Sequence, residues 1–309
     1  MCTAISFTAK DNYFGRNLDL DIDYGAGIMI TPREYEIRFS GGDVASRHYA
    51  IIGMGIVADN YPLYFDAVNE KGLSCAALQF DSEYAAGVGS EYVASYEFVL
   101  WVLALNQSVS AVRERLKKIE ISSTPFSESF KSEGLHFIIA DRFCSITVEQ
   151  TEAGFKVYDN PFGVLTNNPS FPMQLINLSN FSHLSSAPQV NRFSMKIKAK
   201  AYSNGLGAFS LPGDFSSTSR FVRAVFIKEN SVCEGEENEC LAHFFSMLCA
   251  VAVPSGSVIN EKGRVHKTIY SSCSNTDKGV YYYKRYDEMV LHFSALSDYD
   301  IEGKDVIKA

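Results

Sequence analysis

An α+β fold is the class this sequence predicts, on three observations. Strand-like runs are many, and several are joined by short turns containing Asp or Gly, which points to antiparallel pairing. Helical runs sit as groups between those blocks of strands, an arrangement that suggests two sheets sandwiched between helical layers. No internal repeat, low-complexity tract or Pro/Gly-rich linker divides the 309 residues, so one domain covering residues 1–309 is the simpler account.

The elements follow in chain order. Cys2–Thr8 and residues 13–19 flank Lys10-Asp11-Asn12, a turn-forming cluster, and read as a β-hairpin. Further strands are read at residues 49–57, 73–80, 135–140, 145–150, 155–158, 279–286 and 288–295. Residues 96–105 are apolar almost all round, the pattern of a buried helix. Ser108 then caps a second helix with Val109, Val112, Leu116 and Ile119 on one face. Two more helices are read at 219–229 and 236–251, the latter opening with acidic residues that suit a helix N-terminus. The stretch 184–219, rich in Ser, Gly and Pro, reads as loops around a short helix.

Composition excludes several classes of function. The net charge of −8, without any dense Lys/Arg cluster, argues against binding nucleic acid. No run approaches the length of an apolar membrane span, so no membrane association is expected. The opening MCTAISFTAKDNYFGRN alternates apolar and polar residues and has no basic segment followed by an apolar one, so it does not read as a secretory signal. Seven cysteines, an odd number in a large chain, suit reduced thiols in a cytoplasm. Neither they nor the six scattered histidines show metal-ligand spacing, and no metal or cofactor is expected.

The chemistry gathers at the N-terminus. A hairpin centred near Asp11 brings Cys2 opposite a residue near Asp19, so Arg16 and Asp19 lie close to Cys2 whatever the rest of the fold does. Met before a small residue such as Cys is readily excised, which leaves a thiol and a free α-amine on one residue. An α-amine titrates near neutral pH and can act as a base, and a thiol beside a guanidinium ionises more readily. Nucleophile, base and orienting group are the parts of covalent acyl transfer. Arg16 and Asp19 are three apart, so a regular strand points them to opposite faces. Either a bulge intervenes or Asp19 reaches the backbone amine. On spacing alone a second account stays open, in which Arg16 and Asp19 form a surface ion pair beside an edge strand.

Beyond the hairpin, a series of blocks resembles one family in order and over nearly the whole chain. These are MCTAISF…YFGRNLDL, ITPREY (30–35), YAIIGMG (49–55), DAVNEKGLSCAAL (66–78), GVLTNNPSF (163–171), LPGDFSSTSRF (211–221), YSSC (270–273) and KGVYYYKRYD (278–287). They resemble the choloylglycine hydrolase family, which comprises bile salt hydrolases and penicillin V acylases. The resemblance implies a four-layer αββα sandwich of two antiparallel sheets flanked by helices, the N-terminal-nucleophile hydrolase fold. It implies exposure of Cys2, amide hydrolysis through an acyl-enzyme without a cofactor, and commonly a homotetramer. The family's catalytic Cys, Arg and Asp fall on Cys2, Arg16 and Asp19, its oxyanion Asn on Asn167, and its SRF-block Arg on Arg220. On local sequence, a turn residue is the alternative for Asn167, whereas Arg220 at the first turn of a helix is poorly placed against the dipole and calls for a specific partner.

Gln79 departs from the family pattern, since bile salt hydrolases place Asn there and penicillin V acylases tend to place Tyr. The backbone N–H at this position serves the family's oxyanion hole and survives any substitution. Leu18 and the Tyr61, Tyr64 and Phe65 aromatics lie on the strand end and loop that line the family's acyl pocket. The substrate expected is a small-molecule amide, foremost a glycine or taurine conjugate of a bile acid. Penicillin V or an N-acyl homoserine lactone is the alternative with the same chemistry, and a non-catalytic binding protein on the same fold is a third reading.

Overall fold

The first hairpin forms where a polar turn, Lys10-Asp11-Asn12, joins two strands that are buried along most of their length. In the computed structural model, which describes residues 1–82, 89, 91–128, 131–151, 154–197 and 201–309, β1 (Cys2–Thr8) pairs antiparallel with β2 (Asn12–Leu20). The connecting turn is closed by a bond from the Ala9 amide to the Asp11 carbonyl and by Thr8 Oγ1 donating to Asn12 Oδ1 at 2.7 Å. Eight of the nine residues of β2 are buried, so it is an interior strand of its sheet. Arg16 and Asp19 are fully buried, which removes the surface ion-pair account.

The remaining strands that build the two large sheets are β3 (Gly27–Thr31), β4 (Ile51–Ala58), β5 (Tyr61–Asn69), β6 (Ser74–Gln79), β7 (Leu135–Ala140), β8 (Ser145–Thr151), β9 (Gly154–Asp159), β10 (Val164–Leu165), β11 (Val265–Asn275), β12 (Val280–Arg285), β13 (His292–Ala295) and β14 (Ile307–Lys308). One sheet runs β10-β1-β2-β11-β12-β13, with Val258–Ile259 added beside β11. The other runs β9-β8-β7-β6-β5-β4-β3-β14, and every pairing in both is antiparallel.

The helices are α1 (Phe98–Leu105), α2 (Val109–Leu116), α3 (Phe171–Ser179), α4 (Ser217–Glu229) and α5 (Glu237–Cys249). One buried cluster fills the space between the sheets and continues to α4 and α5, joining Ile5, Ile52, Val68 and Ile138 to Phe221 and Phe244. A second lies on the far side of the eight-stranded sheet, where Phe137 and Val148 meet Phe98 and Trp101 of α1 and Val112 of α2. The layer order is therefore helix, sheet, sheet, helix, the αββα sandwich. Ser108 caps α2 by accepting from the Ala111 amide, as its position before the apolar stripe predicts.

Of the labelled elements, β3, β5, β10, β11, β14 and α3 lay outside the strand and helix readings of the sequence. β11 reads VHKTIYSSCSN, too polar to register as a buried strand, yet its last eight residues are all buried because their hydroxyls and amides find partners. α3 is short and β3 is flanked by Gly and Thr. Residues 61–65, expected as loop, begin β5 instead. The strand read at 288–295 shrinks to its second half, β13. In the stretch 184–219 the short helix is a single 3-10 turn at Leu206–Ala208, and residues 198–200 of that stretch lie outside the described residues. Gly15 is needed where β2 meets β11, since a Cβ there would sit 2.0 Å from the Ser272 carbonyl oxygen.

Candidate active site

Register sets the site. Cys2 pairs directly with Leu18 and Ala4 with Arg16, so Cys2 and Arg16 share the face that looks between the sheets. Thr3 pairs with Asn17 on the opposite face, toward α4 and α5. Asp19 shares that second face. The β1–β2 pairing is unbroken from Cys2 to Thr8, so no bulge in β2 turns Asp19 toward the thiol. Asp19 instead meets the chain start through its backbone: its carbonyl accepts from the Met1 ammonium at 2.6 Å and its amide donates to the Met1 carbonyl at 2.9 Å.

The Asp19 carboxylate lies inside, fully buried. Its Oδ1 accepts from Thr268 Oγ1 at 2.6 Å, Arg220 Nη1 stands 3.9 Å from Oδ2, and Oδ2 has no hydrogen-bond partner. Burial pushes this carboxyl pKa up, against the pull of Arg220, the Thr268 hydroxyl, the terminal ammonium and Arg16.

Arg220 rises from the first turn of α4, whose N-cap Ser216 accepts from the Ser219 amide. Its guanidinium is fully buried and donates to the Cys2 carbonyl, to Thr3 Oγ1 at 2.6 Å, to Asn167 Oδ1 at 2.8 Å and to the Phe215 carbonyl at 3.1 Å. Burial lowers its pKa while Asp19 and Cys2 work to raise it. These partners account for a cation at a helix N-terminus, where the dipole alone is unfavourable.

Asn167 joins the segments. Its Oδ1 accepts from the Cys2 amide at 2.7 Å as well as from Arg220, and its Nδ2 donates to the Gln79 carbonyl at 2.7 Å. Its own amide donates to Ser217 Oγ at 2.9 Å and its carbonyl accepts from Gln174 Nε2 at 3.2 Å. Asn167 is therefore a bridging residue and not a simple turn residue. The Phe80 amide bonds the Gly134 carbonyl across from β6, so by strand alternation the N–H and C=O of Gln79 face the other edge. The β5–β6 ladder has ended at the Asp66–Ala76 pair, so that edge opens toward Asn167. The Gln79 side chain is exposed.

Arg16 crosses between the sheets, with Nη1 donating to the carbonyls of Phe65 at 3.0 Å and Ala77 at 2.5 Å; its Nη2 is buried without a hydrogen-bond partner. Burial opposes its charge, but Cys2, Tyr270, Asp66 and Asp19 outweigh that and move its pKa upward. Sequence reasoning missed Asp66, although it lies in the DAVNEKGL block. Its buried carboxylate accepts from Tyr270 at 2.5 Å, Tyr281 at 2.5 Å and Ser272 at 2.9 Å, and Ser272 Oγ in turn accepts from the Arg16 amide at 3.2 Å. A bulge between Thr268 and Tyr270 makes this possible. Thr268 stays opposite Asp19 on the helical face, while Tyr270 falls opposite Leu18 and looks between the sheets.

The expected pocket residues divide. Leu18 and Phe65 pack in the cluster that contains Cys2, and Phe65 is the extra residue of a bulge in β5 opposite Met54 and Gly55. Tyr61 and Tyr64 do not join them. Tyr64 is buried in the outer cluster against α1, with its hydroxyl 2.8 Å from Thr31 Oγ1, and Tyr61 donates to Glu97 at 3.2 Å beside the Tyr96 and Phe126 rings. The correction comes from their contacts: both rings pack with the outer cluster, Tyr64 through Thr31 and Tyr61 through Glu97. Among the described residues, no group of three or more His, Cys, Asp or Glu side chains is placed to hold a metal, and no helix is long and apolar enough to cross a membrane.

The chain matches the sequence model described as linear amide C–N hydrolases, choloylglycine hydrolase family, over residues 2–309. It is 41% identical over 310 residues to a bile salt hydrolase/transferase of Lactiplantibacillus plantarum, covering 99% of this chain and 96% of that one. It is 37% identical to a conjugated bile acid hydrolase of Lactobacillus acidophilus, covering 99% of each. A crystal structure of a variant conjugated bile acid hydrolase from Clostridium perfringens superposes with a TM-score of 0.92 at 33% identity, over 100% of this chain and 96% of that one. A penicillin V acylase from Agrobacterium tumefaciens shares the fold, with a TM-score of 0.80 at 20% identity over 99% and 90% of the two chains.

Proposed function

This chain belongs to the choloylglycine hydrolase family and is a linear-amide hydrolase, and from that premise we propose that it cleaves glycine- or taurine-conjugated bile salts with Cys2 as the nucleophile. The observation that carries the assignment of Cys2 is its nitrogen, held 2.7 Å from Asn167 Oδ1 in an interior that also buries Arg16, Asp19 and Arg220. Loss of Met1 turns that nitrogen into an α-amine already tied to an acceptor.

The steps follow from those positions. The Cys2 amine takes the thiol proton, and Sγ attacks the amide carbon. Negative charge gathers on the carbonyl oxygen, where the second N–H of Asn167 Nδ2 and the backbone N–H of Gln79 donate. As the C–N bond breaks, the Cys2 ammonium returns its proton to the leaving amine, which departs as glycine or taurine. Water, activated by the same amine, then cleaves the thioester and restores the thiol. Arg16 favours the thiolate electrostatically, with Nη2 left free of other bonds. Asp19 Oδ2, an acceptor also left without a bond, steadies the ammonium form of the amine. Arg220 locks the Cys2 carbonyl and Asn167 in place. Leu18 and Phe65 contribute apolar wall for the steroid.

Curated relatives with 34–41% identity over nearly the whole chain carry bile-acid names, which favours the steroid conjugate over penicillin V or an acyl homoserine lactone. We assign the enzyme to the cytoplasm on its odd number of cysteines and to a homotetramer on its family resemblance, with the exposed apolar residues Val190, Phe193, Met195 and Tyr202, 69–94% accessible, as its contact surface. The test is kcat/KM for glycocholate, taurocholate, penicillin V and a long-chain acyl homoserine lactone. A bile salt should lead by at least about 10-fold; penicillin V in the lead would overturn the substrate.

A further inference from the structure

The two donors proposed for the oxyanion, Asn167 and Gln79, lie on separate segments, and one buried side chain touches the neighbours of both. His136 on β7 is fully buried. Its ring stacks on Phe80, the residue after Gln79, with 4.4 Å between centroids and 10° between planes. Its Nε2 lies 2.8 Å from the carbonyl oxygen of Thr166, the residue before Asn167. Its Nδ1 lies 3.0 Å from Oε1 of Glu149 on β8, also fully buried. Both Glu149 oxygens accept from the Phe171 amide at 3.0 Å, and Phe171 opens α3 just beyond the Asn167 segment.

Both nitrogens of His136 thus lie within hydrogen-bonding distance of oxygen atoms, one on each side of the ring. Polar side chains this deeply buried cost free energy unless they are bonded, and here each of the two is. An apolar side chain would fill the same volume, but it would take a partner from the Thr166 carbonyl and leave Glu149 only the Phe171 amide. The polar choice fixes the ring in three directions: through each nitrogen and through one face. Those three contacts span the gap between the two donor segments.

We infer that His136, backed by Glu149, is a positioning residue that holds Asn167 and the Gln79 backbone at the spacing the oxyanion requires. The inference rests on the reading of Asn167 and Gln79 as the oxyanion donors. His136 acts through Thr166 and Phe80, not on the substrate. Donor geometry of this kind is sensitive to shifts well under an ångström.

The test is a kinetic cycle on glycocholate with His136→Phe, His136→Gln, Asn167→Ala and the double variant His136→Phe/Asn167→Ala, each first checked for a native circular dichroism spectrum and thermal transition. His136→Phe keeps a ring against Phe80 and removes both hydrogen bonds. It should lower kcat by about 10–100-fold with KM within about two-fold. His136→Gln, which can still donate to the Thr166 carbonyl, should recover most of that loss. In the Asn167→Ala background, His136→Phe should cost less than about three-fold, because the donor it holds is already gone. Unchanged kcat in His136→Phe, or the same fold loss in both backgrounds, overturns the inference. If His136→Phe does not fold, Glu149→Gln takes its place in the cycle under the same criteria. Unchanged kcat in Asn167→Ala removes the oxyanion reading and this inference with it, a result distinct from the failure of the His136 variants alone.

Discussion

Arg16 is held by carbonyl oxygens rather than by a carboxylate. Its Nη1 bridges Phe65 and Ala77 while Asp66 sits behind hydroxyls of Tyr270, Tyr281 and Ser272. A planar guanidinium can serve two carbonyls from one nitrogen and leave another nitrogen free, which an ammonium on a flexible stem does poorly. Arg16→Lys is therefore expected to lower kcat on glycocholate by about 10-fold or more while the chain stays folded; a rate within two-fold of wild type would show that only charge matters there. The sequence could show Cys2, Arg16 and Asp19 together because one tight turn fixes a hairpin register. It could not show Asp66, Thr268, His136 or Glu149. Their partners come from strands many residues away, and alternation along one strand says which face a residue takes but not which strand lies beyond it. The same limit misplaced Tyr61 and Tyr64, which lie between two of the recognisable blocks and whose partners, Glu97 and Thr31, come from other segments.

At the scale of elements, α4 delivers Arg220, and the turn before it is tied down by Asp214. Asp214 Oδ1 accepts from the Ser216 amide at 2.9 Å and Oδ2 from Ser219 Oγ at 2.6 Å. The Ser216 and Ser219 hydrogen bonds hold its carboxyl pKa down at about 2, below the ordinary 3.8. A carboxylate whose folded pKa is depressed adds stability above its unfolded pKa and loses it as pH falls through the folded one. Because Asp214 is exposed, screening keeps that contribution small. Asp214→Asn should thus melt about 2 °C below wild type at pH 6, with the gap closing between pH 4 and pH 2. A gap that does not narrow across that window would remove Asp214 from the support of α4. The elements most legible in sequence were those with strong periodicity, the first hairpin and the helices α1 and α2. β11 was not, because its burial is satisfied by hydroxyls and amides whose partners lie on β2 and β5.

For the molecule as a whole, the αββα layering follows from three facts. Each sheet has a face covered by helices, the two inner faces meet, and polar groups that cross between them, Arg16 and Asp66, are each bonded to the opposite sheet. The apolar segment bearing Phe193 and Met195 belongs to neither core. Light scattering is expected to give about four times the 34.3 kDa chain mass, and Phe193→Glu with Met195→Glu should lower it. A monomer in the unmodified protein would contradict the tetramer. The central claim concerns the other end of the chain, where Cys2 acts through an amine that exists only after Met1 leaves. The direct measurement compares glycocholate turnover by two preparations defined by intact mass, one beginning at Cys2 and one still carrying Met1. The account predicts that the first turns over at least about 1,000-fold faster, whereas equal rates would contradict it.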